Sequence, residues 1–144
     1  MAQKKSLQQW LSEYGESHQN PYNRILHKIC VPVIFWTIVS FLYLLEIQNF
    51  PFGLLLSIVA LGFYFRLSVQ IGLIMMVVLA GCFYSSYWVQ NQTGQLLGIS
   101  AFLFVVAWIG QFVGHHIEGR KPSFLQDLQF LLIGPLWVFK SSQE

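Results

Sequence analysis

Apolar residues fill four long runs of this chain, and short polar breaks separate them. The runs cover about Val31 to Leu45, Phe52 to Phe65, Ser68 to Trp88 and Gln95 to Val113. The first helix begins upstream, near Asn23. Breaks fall at Gln48-Asn49-Phe50-Pro51, around Arg66, and at Gln90-Asn91-Gln92-Thr93-Gly94. Apolar runs of this length without alternation predict helices that are hydrophobic all round, as membrane spans are. The second run is short against the roughly 20 residues a spanning helix needs, so it crosses with help from its flanks or forms a tight hairpin with the third. The expected fold is all-α: a polytopic membrane bundle of four helices in a single domain over residues 1–144, with no linker and no internal repeat.

The polar ends predict interfacial helices. Leu7, Trp10, Leu11 and Tyr14 recur at helical spacing within Ser6 to Ser17, which predicts an amphipathic helix lying on the membrane surface. Phe124 to Phe139, interrupted at Gly134-Pro135, is too short and broken for a span and is expected to be interfacial or re-entrant. Gly53, Gly62, Gly72 and Gly81 are candidates for close helix contacts.

Charge sharpens this picture. Of 144 residues 55% are hydrophobic and 10% charged, against about 25% charged in an ordinary soluble domain. From Val31 to Gly114 only Glu46 and Arg66 carry formal charge. With the N-terminus inside, the inner segments hold Lys4, Lys5, Arg24, Lys28, Arg66, Arg120, Lys121 and Lys140, which are all 8 lysines and arginines of the chain. The positive-inside rule therefore predicts that both termini are cytoplasmic, in a bacterial inner membrane or an endoplasmic reticulum. The polar start does not resemble a cleaved signal peptide. Cys30 and Cys82 lie at or within apolar runs, so buried thiols are expected rather than a disulfide.

The chemistry is concentrated in 4 histidines. His18 and His27 lie before the first apolar run, and His115 and His116 follow the last. The orientation above puts all of them on one membrane face. Asn20-Pro21 is a turn that opens a helix, on which Asn23 and His27 are four apart and share a face. If the fourth helix continues, Gln111, His115 and Glu118 form one polar stripe at i, i+4 and i+7. His116 then points about 100° away and joins a site only if the helix unwinds after Gly114. Such a set, with Asn20, Asn23, Gln111 and Glu118 available to orient the rings, is the pattern of a metal site. Nitrogen ligands without paired thiolates suit zinc, iron, copper or nickel.

Two motifs then carry a resemblance over nearly the whole chain. His18-x-Asn20-Pro21-x-Asn23-x-x-x-His27, followed by Val31-Pro32, resembles the N-terminal motif of the 2-hydroxy-palmitic acid dioxygenase family. Trp108-Ile-x-Gln111-Phe-x-Gly114-His115, then Glu118-x-Arg120-x-Pro122, resembles its C-terminal motif. The resemblance implies an Fe(II)-dependent membrane enzyme of fatty acid α-oxidation. Its reaction takes a 2-hydroxy fatty acid and O2 to the acid one carbon shorter. His18, His27 and His115 fall on family histidines, which implies that they are ligands; His116 matches none clearly and is kept as a possible fourth. Glu118, as ligand or hydrogen-bond acceptor, is a candidate catalytic residue together with Gln111 and Asn23. Arg24, Arg120 and Lys121 are candidates to hold the substrate carboxylate. Membrane lipid is an expected partner and nucleic acid is not. Two rival readings remain at this point: a zinc-dependent membrane hydrolase or lipid-modifying enzyme, and a non-enzymatic membrane scaffold or lipid-binding protein.

Overall fold

In the computed structural model, which describes residues 9, 20–46 and 50–119, the first helix starts where Asn20-Pro21 predicts it. The side-chain Oδ1 of Asn20 accepts the Tyr22 N–H at 3.0 Å, and its carbonyl accepts the Arg24 N–H at 3.0 Å. Asn20 is thus an N-cap, and Pro21 takes the first helical position, where its missing N–H costs nothing. Helix α1 then runs over Pro21–Leu44 and carries Pro32 inside it.

Three further helices follow: α2 over Phe52–Leu67, α3 over Val69–Thr93 and α4 over Leu96–Glu118. No strand occurs among the described residues, so the all-α expectation holds. Helices α1, α3 and α4 are long and apolar enough to cross a membrane, while α2 is a shorter apolar helix. At about 1.5 Å per residue its 16 residues extend about 24 Å, less than the roughly 30 Å of a hydrocarbon core. Large side chains such as Ile58, Val59, Val77, Phe102 and Val105 are exposed. Apolar exposure on this scale is rare on a soluble monomer and fits a lipid solvent. These are the helices of a membrane protein. The interfacial helices expected over 6–17 (Gln9 apart) and 124–139 lie outside the described residues.

The chain divides into two compact units. The second unit, Trp36–Leu103, contains the helix turns. Its first turn brings Gly53 so close to α1 that a Cβ there would overlap the Leu42 carbonyl oxygen. Between α2 and α3 a single extended residue, Ser68, makes the joint, with its N–H on the Tyr64 carbonyl at 3.2 Å. The expected break around Arg66 therefore falls two residues later. Arg66 stays in the last turn of α2, where a cation complements the helix dipole. Beside the joint, a Cβ on Gly72 would enter the Phe65 ring, and Tyr64 and Met75 are completely buried. Gly62 and Gly81, in contrast, face open space.

The polar segment Gln90–Thr93, expected as a break, is the last turn of α3. Its polar side chains satisfy backbone groups that a helix end exposes. The Thr93 hydroxyl donates to the Val89 carbonyl at 2.8 Å and accepts the Gln95 N–H at 3.1 Å. The Gln90 Oε1 accepts the Leu96 N–H at 3.2 Å, capping α4. Gly94, at φ 63°, supplies the left-handed residue that reverses the chain. Within the same unit, the Trp36 indole donates to the Ser85 hydroxyl at 2.8 Å, and the Ser40 and Ser86 hydroxyls pair at 2.9 Å. Both cysteines are free thiols.

Candidate metal centre

Among the described residues, the first unit comprises the N-terminal part of α1 and the C-terminal part of α4. Here the two helices meet through glycines. A Cβ on Gly110 would lie 2.6 Å from the Cys30 sulfur, and one on Gly114 would overlap the Asn23 Oδ1. Gly110 and Gly114 are four apart, the spacing by which small residues let apolar helices approach closely. The stripe predicted on α4 is continuous, because the helix persists to Glu118 and ends on Gly119 at φ 73°.

Close approach buries a polar set that neither helix could bury alone. Relative exposure is 0% for Asn23, 3% for His27, 5% for Gln111 and 7% for His115. The His27 and His115 rings stand edge to face, with centroids 5.2 Å apart and planes at 89°. The Nε2 atom of each is enclosed by protein. Glu118 anchors the end of this arrangement. Its Oε1 and Oε2 accept the Asn20 backbone N–H at 3.2 and 3.0 Å, and its Oε2 also accepts from the Asn23 Nδ2 at 2.9 Å.

The other candidates are distributed differently. His116 is exposed: because α4 does not unwind after Gly114, its ring is turned away from the His27–His115 pair. Arg24 is likewise exposed. The Asn20 side-chain Oδ1 caps α1. Gln111 lies one turn before His115 and is buried. His18, Arg120 and Lys121 lie outside the described residues. The contact of Asn20 and Asn23 with Glu118 was not anticipated. Local periodicity placed Glu118 on the stripe but could not name its partner 95 residues away. The Gly110–Gly114 spacing was the available signal for the helix approach.

Two buried imidazoles are a donor pair of the kind a metal takes. Two imidazoles sharing one ion at metal–nitrogen bonds of about 2.0–2.1 Å, the length for zinc, have ring centroids roughly 5 Å apart. His27 and His115 have that spacing, and imidazole nitrogen suits iron as well as zinc. Among the described residues no group of three or more His, Cys, Asp and Glu side chains is gathered for a metal. Within those residues the donor set is therefore the His pair, while both Glu118 oxygens accept protein hydrogen bonds.

Comparison with known proteins agrees with the motifs. The family described as 2-hydroxy-palmitic acid dioxygenase Mpo1-like matches residues 4–143. The 2-hydroxy-palmitic acid dioxygenase MPO1 of Saccharomyces cerevisiae is 31% identical over 137 residues, covering 92% of this chain and 76% of that protein. No solved structure matches the chain significantly. With a match from near its first residue to near its last, the chain belongs to the Mpo1-like 2-hydroxy-palmitic acid dioxygenase family.

Proposed function

We propose that this protein is an Fe(II)-dependent dioxygenase that converts a 2-hydroxy fatty acid and O2 to the fatty acid one carbon shorter, with loss of the carboxyl carbon. The buried His27–His115 pair carries this reading. Two imidazoles are enclosed at the contact of two membrane-type helices, in a chain whose yeast relative is named a 2-hydroxy-palmitic acid dioxygenase. His27, His115 and His18 would hold the metal. His116 is left out because it occupies another face of an unbroken helix. Ferrous iron, when bound, would supply a redox-active centre with open coordination positions for O2 and the 2-hydroxy acid, while the four electrons that reduce O2 come from the substrate, whose carboxyl carbon leaves as CO2.

The protein's own residues supply the setting. Facing helices fix the two rings at a centroid distance of 5.2 Å, and a site held by packed helices needs little reorganisation to take a ligand. Burial of both rings limits water around the pair, which suppresses side reactions of an oxidising site. Arg24, Arg120 and Lys121 are cations near the ligands in sequence and serve the substrate carboxylate. A substrate with a polar head and an acyl chain suits a site at the ends of apolar helices: the head meets the histidines and the chain stays in lipid. The lysine and arginine distribution supports an orientation with this face and both termini on the cytoplasmic side.

The test is turnover of 2-hydroxypalmitic acid by purified protein in lipid vesicles, with and without O2. The acid one carbon shorter should form only in air and only with iron restored. Equal turnover without O2 would instead indicate a hydrolytic or other metal reaction.

A further inference from the structure

Glu118 is in the wrong place for its own helix. It occupies the last turn of α4, where the negative end of the helix dipole disfavours a carboxylate. Its hydrogen bonds show what offsets this. The Asn20 backbone N–H belongs to the N-cap of α1, and a helix N-terminus favours an anion. The Asn23 Nδ2 adds a second donor from the first turn of α1. One carboxylate therefore closes the start of α1 onto the end of α4.

The fit around this contact is tight. Asn23 is fully buried, and its Oδ1 lies against the Gly114 backbone where a Cβ would stand. Asn23 precedes His27 by four residues and Glu118 follows His115 by three, so on both helices the tie lies next to the imidazole. From these observations we infer that Glu118 is a positioning residue. Its bonds to Asn20 and Asn23 form a latch that fixes the ends of α1 and α4 and thereby the spacing of His27 and His115. It acts through the histidines and is not itself a metal ligand. This inference rests on the proposed metal site for its consequence, but the latch can be measured without metal.

Spin labels on cysteines replacing Tyr22 and Ile117, both exposed, report the distance between the helix ends. Cys82 is replaced by alanine, and the native Cys30 is buried. The unsubstituted latch should give a narrow distance distribution. Glu118→Ala should broaden it most, and Glu118→Gln less, because a glutamine oxygen in the Oε2 position still accepts from Asn20 and Asn23 while its amide opposes the Asn20 N–H. The exchange Asn23→Asp with Glu118→Gln should narrow it again: the glutamine oxygen still accepts from Asn20, and its amide donates to the new carboxylate. Iron affinity should follow the same order, falling about 10–100-fold in the single variants and recovering in the exchange.

A distribution as narrow in Glu118→Ala as in the unsubstituted protein overturns the latch. Restored distance without restored iron affinity makes Glu118 a ligand and overturns the positioning role. If the unsubstituted protein binds no iron while the distances behave as stated, the latch stands and the metal reading fails.

Discussion

The α2–α3 joint and the α1–α4 contact hold helices together by different chemistry. At the first, Ser68 turns the chain, Gly72 abuts the Phe65 ring, and buried Tyr64 and Met75 fill the interior. At the second, glycines let the helices approach, Asn23 and Glu118 hydrogen-bond across the contact, the His27 and His115 rings meet edge to face, and Gln111 is buried one turn before His115. Lipid tails are as apolar as leucine, so apolar packing alone gives helices little preference for each other over lipid. A buried polar group has a costly alternative when its partner is removed. The first contact therefore organises the chain, and the second has the precision that chemistry needs.

Several substitutions can break this contrast. The largest effects should come from His27→Ala and His115→Ala. Each should lower product formation by more than about 100-fold, beyond the usual cost of losing a group outside the ligand shell, with helix content by circular dichroism unchanged. Next comes Gly114→Ala, whose Cβ must displace the Asn23 amide. Overpacking should cost about 1–3 kcal/mol, read by thermal unfolding, and activity should fall with it. Gly72→Ala is the matching change at the other joint. It should cost a similar about 1–3 kcal/mol at most, yet leave turnover per folded molecule intact. If Gly72→Ala abolished turnover and Gly114→Ala did not, the division of labour would be wrong.

Smaller changes sharpen the same contrast. His116→Ala removes an exposed ring and should alter turnover by no more than about twofold, as for a typical surface change. The comparison with His115→Ala tests adjacent residues on different faces of one helix. Smallest of all, Ser40→Ala or Ser86→Ala removes one side of an interhelical hydroxyl pair. It should cost about 0.6 kcal/mol in unfolding measurements, with activity unaffected.

The helices were legible in the sequence because their signal is local. Pro51, the Arg66–Ser68 region and Gly94 interrupt apolar runs, and the structure turns at or beside each. Gln111, His115 and Glu118 share a face for the same reason, since period alone places them. Local pattern misplaced the end of α3, because Gln90 and Thr93 read as loop residues but satisfy the groups of a helix end. It also could not rank the glycines. Gly53 and Gly72 mark close contacts while Gly62 and Gly81 do not, and the difference depends on what lies opposite. The Glu118 latch was out of reach because it joins residues about a hundred positions apart, and its local signature is only a carboxylate at an unfavourable helix end.

The central claim is that α1 and α4 meet to hold iron between His27 and His115. It is tested most directly by metal analysis of gently purified protein beside its His27→Ala and His115→Ala variants. The account predicts about one iron per chain in the unsubstituted protein and almost none in either variant. Active protein without iron, or the same iron content after His115→Ala, would contradict it.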